Sequence, residues 1–398
     1  MQPGKQVVHH QGMTITSPAP TDQPPSPFDR MFELAHGLGP VLAEGADTRD
    51  RDGAFAADGI TALRDAGYLA GPVPASLGGA GASLSDVVWA QAELARHDAS
   101  IALASAMHLH VTCTQAWRAR RDAPGAVALL ERIAGGLIVA STGGNDLTRP
   151  SARATPVDGG YQVSGRKRFV SLAPIAGAMA TFAAVERDGA EPEIIGFGLP
   201  LSSPGVTVVG TWDALGMRAT GSHDIVLDDV FVADAQVTAR RPWDRLDPPL
   251  IVALAHAIPI ISAVYLGILE SLRDDAITVA LAAGRRDAAA VHLAGRLDTA
   301  CRTARWSLAG ALADIGEDPA PELATFTTVE QAKHAVLAAG KEVVEAALEL
   351  AGGVAYRKGH RMERAVRDSF AAVFHPVGPA ATLVHVGAVA LGVDAARL

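Results

Sequence analysis

The chain has 398 residues, of which 49% are apolar, and its formal net charge is −9. This length and composition predict a globular protein of two or three domains with a substantial core. The charges are scattered without runs of one sign, which argues against a nucleic-acid partner. The two cysteines, Cys113 and Cys301, stand far apart with no CxxC, so we expect neither a disulfide framework nor a thiolate metal site. Free cysteines fit a reducing cytoplasm.

The N-terminal third is predicted to be a tail followed by helices. Residues 1–26 are polar and proline-rich and lack the apolar stretch of a signal peptide, so we expect a disordered tail. Residues 27–136 carry apolar positions at helical spacing, notably in "SLSDVVWAQAELARHDASIALASAMHLHVTCTQAW". Ser83 or Ser85 is the expected N-cap of that stretch. We therefore predict an N-terminal α-helical domain over 27–136.

The middle region, residues 137–240, changes to the alternation typical of strands. "ARATPVDGGYQVSGRKRFVS" predicts two strands joined by a turn at Asp158-Gly159-Gly160. Four further short runs, "AMATFAAVER", "EIIGFGLP", "VTVVGTW" and "HDIVLDDVFV", are separated by Gly, Pro and Asp. Six short strands at this spacing predict a small antiparallel barrel or sandwich.

The C-terminal region, residues 241–398, is again helical and rich in alanine and leucine, which predicts a bundle of about four helices. Residues 250–269 contain no charged side chain and are long enough to span a membrane. They also contain His256 and Pro259 and lack basic or aromatic flanks. A helix buried all round within a bundle has the same composition, so we expect no membrane association.

Several common catalytic motifs are absent. The sequence has no GxGxxG after a strand, no GxxxxGK[ST], no GxSxG and no HExxH. His108 and His110 are two residues apart on a predicted helix, so their side chains point to different faces and cannot easily share a metal. Rossmann, P-loop, serine hydrolase and zinc protease chemistry are therefore not indicated.

Four stretches in order carry a family resemblance: "LARHDASIALASAMH" (94–108), "GRKRFVS" (165–171), "WDALGMRATGSHDIVLDDVFV" (212–232) and "GGVAYRKGHRMERAVRD" (352–368). Together with the α–β–α order they resemble the acyl-CoA dehydrogenase superfamily of flavoenzymes. The resemblance implies an α+β fold with an N-terminal all-α domain, a central antiparallel β-barrel or sandwich and a C-terminal four-helix bundle.

The resemblance also implies which residues contact a flavin, FAD or FMN. Ser171 falls where a hydroxyl hydrogen-bonds the flavin N5, and Phe169 falls where an aromatic side chain packs near the isoalloxazine ring. Donors near the pyrimidine ring stabilise the charge of a reduced flavin. The remaining implied contacts are Ser141 and Thr142 at the pyrimidine, and Gly352 and Gly353, which reach the flavin of a neighbouring subunit in the family.

The sequence departs from the family at the catalytic base. Family dehydrogenases place a glutamate nine residues after the Arg of "RD", and counting from Arg367 gives Pro376. The alternative position, on the first bundle helix, has no acid between Asp247 and Glu270. His375 stands one residue before the lost glutamate, in an "HP" setting that resembles the flavin monooxygenase branch. An imidazole can give or take a proton near neutral pH.

Three functions are compatible with these residues. The favoured one is a two-component flavin monooxygenase that receives reduced flavin from a partner reductase and oxidises a small aromatic or amine-containing molecule, with His375 and Ser171 as catalytic residues. A second is an acyl-CoA dehydrogenase whose base is Asp247 or His375. A third is a flavin-binding member without activity. His108 and His256 are candidates for the substrate pocket. We expect a homotetramer, or at least a dimer, because the apolar helices, notably residues 250–269, exceed what one small bundle would bury.

Overall fold

A computed structural model describes residues 27–187, 189 and 191–397. The predicted tail, residues 1–26, lies outside the described residues. The described chain begins and ends with helices, and all of its strands lie between them. This α–β–α order confirms the predicted fold class.

Within the described residues the helices of the first region are α1 (Pro27–Glu44), α2 (Ala46–Asp52), α3 (Ala57–Asp65), α4 (Leu84–Ala95), α5 (Ala99–Ala119) and α6 (Ala126–Ala134). Those of the last region are α7 (Pro248–Ala282), α8 (Ala288–Ile315), α9 (Leu323–Ala351), α10 (Arg361–Ser369) and α11 (Pro379–Leu391). Short 3₁₀ turns lie at Arg218–Thr220, Gly352–Tyr356 and Phe370–Phe374.

The strands are β1 (Val139–Ser141), β2 (Arg153–Val157), β3 (Gly160–Val170), β4 (Ala178–Val185), β5 (Glu193–Pro200), β6 (Val206–Val209), β7 (His223–Ala233) and β8 (Val237–Pro242). They form one sheet in the order β6-β7-β3-β2-β4-β5-β8, with β1 paired to β4. The β2–β3 hairpin turns at 158–159 as predicted. Two strands, β1 and β8, were not predicted, and the pairs β1–β4 and β2–β4 are parallel.

Helices α4 and α5 start where the sequence supplies capping side chains. Ser83 accepts a hydrogen bond from the amide of Asp86, whose carboxylate accepts one from the amide of Ser83, which is a capping box. Asp98 caps α5 by accepting from the amide of Ile101 at 3.0 Å. These caps fix the tight connection between the two helices, both of which pack against α7.

Helix α7 is the centre of the bundle. Its residues from Leu250 to Leu272 are buried on nearly every side by the rest of this same chain. The helix is long and apolar enough to cross a membrane, but 94% of its most apolar window is buried inside the protein. The sequence argument that this helix has apolar surface left over for a second subunit was therefore wrong, because α4, α5, α8 and α9 already cover it.

Two helices approach each other closely at Gly267 in α7. A Cβ atom added there would lie 2.1 Å from the carbonyl oxygen of Ala92 and 2.9 Å from the Cβ of Ala95, both in α4. Only glycine allows the α7 backbone to come this near to α4. The separation of the two helices, and hence the position of every side chain on α7, depends on this contact.

Replacing Gly267 by alanine should destabilise the fold, because the new methyl group overlaps backbone that cannot move independently. We expect a loss of at least about 1–3 kcal/mol in the free energy of unfolding. Gly310, on the exposed face of α8, has nothing within 4 Å of an added Cβ and provides the matched control. There, alanine should be neutral or stabilising by up to about 1 kcal/mol. Urea denaturation of both variants measures the difference, and equal effects would contradict the close contact.

Candidate active site

The end of strand β3 has a strained backbone. Phe169 has φ of 58° and Leu172 has φ of 66°, the left-handed region that non-glycine residues rarely adopt. The pairing of β3 with β7 also shifts between Lys167 and Val170. Such strain persists only where surrounding structure enforces it, and it is concentrated at functional sites. Here it directs Phe169 outwards, with 70% of its surface exposed, while Ser171 stays buried.

An aromatic pair lies at this strand end, with Phe169 exposed and Trp212 half-buried. The rings of Phe169 and Trp212 meet edge to face with centroids 6.2 Å apart. The loop bearing Trp212 is held by His223 of β7, whose Nδ1 accepts hydrogen bonds from the amides of Thr211 and Trp212. A large exposed aromatic face on a fixed backbone is suited to covering one side of a flat heteroaromatic ring.

Ser171 begins a chain of three buried hydroxyl groups. Its Oγ lies 2.8 Å from the Oγ of Ser222, which lies 2.7 Å from the Oγ1 of Thr220. Thr220 donates to the carbonyl oxygen of Met217 at 2.9 Å. Ser171 is therefore part of a defined hydrogen-bond network and not an isolated strand serine.

The same turn connects the strand region to the C-terminal bundle. The amide of Met217 donates to Asp368 Oδ1 at 2.5 Å. Burial raises the pKa of Asp368 to about 7, although the bond from Met217 opposes the shift. Tyr265 of α7 lies close enough for the Asp368 charge to raise its pKa further above the ordinary value, beyond the larger effect of burial. The Tyr265 ring in turn contacts the ring of His375.

Strand β1 brings Ser141 against helix α5. His110 Nε2 lies 2.9 Å from the Oγ of Ser141, and that hydroxyl donates to the carbonyl of Met107 at 3.3 Å. The imidazole therefore donates through Nε2, which leaves Nδ1 as an acceptor. This Nδ1 is buried and has no partner among the described residues. Burial, with smaller contributions from His256 and His108, lowers the pKa of His110 to about 3, so the ring is neutral at pH 7.

The sequence argument did not identify His110 as a site residue. Its two-residue spacing from His108 correctly indicated different faces of one helix, but spacing alone could not show which face met β1. His108 is bound by backbone on both sides: Nε2 donates to the carbonyl of Leu69 and Nδ1 accepts from the amide of Val139. This leaves neither nitrogen of His108 for a ligand, whereas His110 keeps one.

The loop after β1 is fixed to strand β3 by a buried charge pair. Lys167, the lysine of "GRKRFVS", is fully buried, and its Nζ lies 2.6 Å from Asp146 Oδ2. It also donates to the carbonyl of Phe182. Thr142 Oγ1 lies 3.1 Å from Thr181 Oγ1 of β4. The loop that follows Ser141 and Thr142 therefore has a fixed position relative to Ser171.

His256 of α7 donates from Nδ1 to the carbonyl of Val252 at 2.8 Å in its own helix. Burial lowers its pKa to about 4, so it is neutral as well. His256 also contributes, less than burial does, to the lowered pKa of His110. Helices α5 and α7 thus each carry a neutral imidazole with one nitrogen that is used neither by the helix nor by Ser141.

His375 ends the 3₁₀ turn Phe370–Phe374 and is half-buried. Its ring lies 5.5 Å from that of Tyr265, with the planes inclined at 50°. Burial, reinforced by the positive charge of Lys333, lowers the pKa of His375 to about 4. From the sequence, His375 was predicted to give or take a proton near neutral pH. In the structure the lowered pKa keeps its imidazole neutral at pH 7, so there is no imidazolium proton to give.

A buried ion pair on α9 holds the segment that follows His375. Glu330 and Lys333 are both fully buried, with Lys333 Nζ 3.0 Å from Glu330 Oε2. Lys333 donates to the carbonyl of Val377, and the amide of Val377 donates to Glu330 Oε1 at 3.2 Å. Thr382 of α11 also donates to Glu330. One ion pair thus fixes the backbone two residues after His375 and lowers the pKa of its ring.

Apart from Asp368, which accepts a hydrogen bond from the amide of Met217, the buried carboxylates that could replace the missing base are engaged in ion pairs. Asp247, considered as a base from the sequence, is paired with the buried Arg241 at 2.7 Å at the start of α7. Glu270 is held by both guanidinium nitrogens of Arg305 at 2.8 and 2.9 Å. Glu330 is bound as described above. Each of these carboxylates serves structure, and none is free to take a proton from a substrate.

Two further groups lie apart from this site. Gly352 ends α9 with φ of 73°, and an added Cβ at Gly352 or Gly353 would meet nothing within 4 Å in the described chain. The side chains of His36, Glu93 and His97 come within 4.8 Å of one another between α1 and α4. Glu93 accepts hydrogen bonds from His36 Nδ1 at 2.8 Å and from His97 Nε2 at 3.4 Å, which account for that cluster without a metal.

Comparisons with known proteins agree with this architecture. The acyl-CoA dehydrogenase N-terminal domain matches residues 40–120, and the acyl-CoA dehydrogenase middle domain matches residues 140–230. Amino sugar nitrososynthase DnmZ of Streptomyces peucetius is 31% identical over 378 residues, which cover 91% of this chain and 93% of DnmZ. The acyl-CoA dehydrogenase-like YdbM of Bacillus subtilis (strain 168) is 30% identical over 343 residues, which cover 82% of this chain and 87% of YdbM.

A solved structure is similar over the same length. KijD3 in complex with FMN and dTDP-3-amino-2,3,6-trideoxy-4-keto-3-methyl-D-glucose is 31% identical, with a TM-score of 0.83, and the match covers 92% of this chain and 94% of that one. Fold and site together define a flavin-dependent oxidoreductase. The chain belongs to the acyl-CoA dehydrogenase superfamily, and the resemblance predicted from its motifs is confirmed.

The residues present fit a flavin. Phe169 offers an exposed aromatic face, the relay that starts at Ser171 offers a fixed hydroxyl, and His110 has an unpartnered buried acceptor. A flavin ring system has an apolar benzenoid part and a polar edge of N–H and C=O groups, which matches this mixture. Which of these residues contacts which atom of the ring remains a prediction from the family resemblance.

Removing the buried cation of α9 should be costly. Lys333→Met leaves the Glu330 carboxylate buried without a counter-charge, and we expect a loss of about 3–5 kcal/mol in unfolding free energy. The double variant Glu330→Gln/Lys333→Met removes both charges and should recover much of that loss.

The control for this experiment is Arg296→Met, which breaks a partly exposed pair with Glu342 and should cost no more than about 1 kcal/mol. Urea denaturation of the three variants supplies the measurement. If Lys333→Met were no worse than Arg296→Met, the α9 pair would not have the structural role described.

Proposed function

We propose that this protein is a two-component flavin monooxygenase that oxidises the nitrogen of a primary amine on a small molecule, with reduced FMN supplied by a separate reductase. The observation that carries this proposal is the site's use of neutral imidazoles in place of a free carboxylate base. His375, His110 and His256 all have pKa values lowered by burial, and each is uncharged at pH 7.

The relatives support an amine substrate. DnmZ is named as an amino sugar nitrososynthase, and KijD3 is complexed with FMN and a dTDP-linked 3-amino sugar. We therefore propose FMN as the flavin and a nucleotide-linked amino sugar as the substrate class. A neutral imidazole suits such a substrate, because an amine must lose its proton before its nitrogen can react, and a charged histidine would repel the ammonium form.

Each residue of the site has a defined task in this proposal. A reduced flavin, when bound, supplies the two electrons that activate O₂. One oxygen atom then forms the N–O bond of the product, and the other leaves as water. The amine reacts in its neutral form, His375 accepts a proton from its nitrogen as the N–O bond forms, and the Glu330–Lys333 pair holds His375 in place. Phe169 covers one face of the ring system, and Ser171 contacts its N5.

In this proposal α5 orients the bound molecule. His110 Nδ1 is a buried acceptor without a partner, so a ligand N–H or O–H placed there gains a hydrogen bond that the protein alone leaves unmade. Ser141 fixes the tautomer that leaves Nδ1 unprotonated. His256 stands nearby on α7 and shapes the same wall. His108 is proposed to support this wall through its backbone bonds.

The alternative function is desaturation of an acyl-CoA thioester. It requires a base for the α-proton, and the relative YdbM keeps this possibility open. His375 is the one candidate base of the sequence argument that the structure leaves unengaged by an ion pair. Acyl-CoA compounds would then reduce bound flavin in the absence of O₂ and reductase, which the amine-oxidising function does not allow.

His375→Ala should lower product formation by about 10² to 10⁴ at pH 7.5, because removing a general base has effects of this size. The assay supplies reduced FMN, ¹⁸O₂ and a dTDP-linked 3-amino sugar, and follows ¹⁸O in the amine product by mass spectrometry. In the wild type, activity should be constant near neutral pH and fall as the pH drops towards the His375 pKa of about 4, since protonation removes the base.

The matched control is His292→Ala, a histidine on α8 outside the site, which should retain full activity. Flavin titration and thermal unfolding of both variants separate lost chemistry from lost structure. Full activity of folded His375→Ala would show that His375 packs in the fold and does not act as a base. Flavin bleaching by acyl-CoA compounds without ¹⁸O incorporation into amines would replace the proposed function by dehydrogenation.

We also propose that the protein is a closed homo-oligomer, a tetramer in preference to a dimer, and that it works in the cytoplasm, where its two buried cysteines stay reduced. Support for assembly comes from the C-terminal segment, by which we mean residues 352–397 after α9. Large apolar side chains there are exposed in one chain, chiefly Tyr356 (83%), Phe374 (82%), Leu391 (80%) and Val384 (71%). Apolar patches of this kind mark subunit interfaces. The open surroundings of Gly352 and Gly353 belong to the same region.

Light scattering at micromolar concentration should give a mass about four times the 41.0 kDa of one chain. Leu391→Asp should shift the protein towards smaller species, because a charge placed in an apolar interface is left without solvation. Val41→Asp, at a similarly exposed position on α1, should leave the mass unchanged. A monomeric wild type would contradict the proposal.

A further inference from the structure

The hydroxyl chain Ser171–Ser222–Thr220 can be assigned a direction. Its members have 7%, 5% and 0% of their surface exposed, so water cannot supply partners for the inner two. Among the described residues each hydroxyl has only the neighbours already given, and the chain ends at the carbonyl of Met217. A carbonyl oxygen accepts and never donates. The direction of the last hydrogen bond, from Thr220 to Met217, is therefore fixed.

The three protons consequently point the same way. Thr220 donates to the Met217 carbonyl, which leaves its oxygen as the acceptor for Ser222, and Ser222 in turn accepts from Ser171. This arrangement makes all three hydrogen bonds. The reverse arrangement loses the bond to Met217, and a mixed arrangement leaves two buried hydroxyl oxygens facing each other without a proton. Each lost bond costs about 0.5–1.5 kcal/mol, and aligned hydrogen bonds also strengthen one another.

The outer end of the chain therefore has a defined polarity. With its proton committed to Ser222, the Oγ of Ser171 can only accept a hydrogen bond from a ligand. A flavin N5 carries a hydrogen in the reduced state and none in the oxidised state. We propose that Thr220 and Ser222 are positioning residues that make Ser171 an acceptor and so select the reduced over the oxidised flavin. This inference rests on the proposed placement of Ser171 beside N5.

The surrounding groups allow the proposal to be tested without loss of structure. The Met217 carbonyl also accepts from Trp212 Nε1 at 3.1 Å and from the Thr220 amide at 3.2 Å. Thr220→Val removes the hydroxyl, keeps the shape of the side chain and leaves this carbonyl bonded. The bond between Ser222 and Ser171 can then run in either direction, so Ser171 is as able to donate to the ligand as to accept from it.

The experiment is an anaerobic titration of the full-length protein with oxidised and with dithionite-reduced FMN, followed by fluorescence. The wild type should bind reduced FMN more tightly. In Thr220→Val the ratio of the two dissociation constants (oxidised over reduced) should fall about tenfold, because one hydrogen bond is exchanged for a mismatch. The two-electron midpoint potential of bound flavin should then fall by about 30 mV. Thr278→Val, which removes an exposed hydroxyl bonded within α7, should change neither value.

The outcomes separate this inference from the proposed function. If the ratio of dissociation constants were unchanged in Thr220→Val but lower in Ser171→Ala, the roles of Thr220 and Ser222 would be overturned. Ser171 would still lie beside the flavin. An unchanged ratio in both variants would overturn the placement of Ser171 and with it the inference. A wild type that binds neither form of FMN would overturn the proposed function itself. Ser222→Ala, which frees the Ser171 proton by another route, should reproduce the Thr220→Val result and serves if that variant does not fold.

Discussion

The burial of helix α7 is the constraint on which the rest of the molecule depends. Its approach to α4 at Gly267 sets the distance between the N-terminal helices and the bundle. Because α5 packs against α7, β1 and the turn 218–220, that distance also sets where His110 meets Ser141 and where the hydroxyl chain ends. On its other side α7 packs on α9, whose ion pair positions the segment after His375. A largely apolar helix, which carries only His256 and Tyr265 towards the site, thus aligns both halves of it.

Much of the fold could be predicted from the sequence because its signals are local. The β2–β3 hairpin follows from Asp158-Gly159-Gly160, and the start of α4 follows from Ser83. The short strands β1 and β8 were missed because three to six residues carry too little alternation to stand out. The sequence pattern pointed to α7 as the apolar surface for a second subunit, whereas the exposed apolar side chains lie in the C-terminal segment. A composition pattern cannot distinguish burial within one chain from burial between two.

The site was less predictable, for a physical reason. Ser171 and His375 stand in motifs that can be read directly, but the residues that set their chemistry are distant in the chain. Thr220 lies 49 positions after Ser171, and Lys333 lies 42 positions before His375. Nothing in the local pattern of "TTVEQAKHAV" indicates that Glu330 and Lys333 would be buried together, because the same letters describe an exposed i, i+3 pair. The partners of a buried charge are known only once the fold is known.

The exchange of a carboxylate for an imidazole changes more than the identity of the base. A buried carboxylate keeps its charge at pH 7 only if partners stabilise it, and that charge then competes with the negative charge of a reduced flavin. A buried imidazole beside Lys333 remains neutral and adds no negative charge. A site built from neutral rings, with an acceptor hydroxyl at its other end, is therefore suited to holding an electron-rich flavin. The loss of the family's glutamate and the proposed polarity of the Ser171 chain have the same consequence for a reduced flavin, although one arises in the C-terminal helical region and the other at the end of β3.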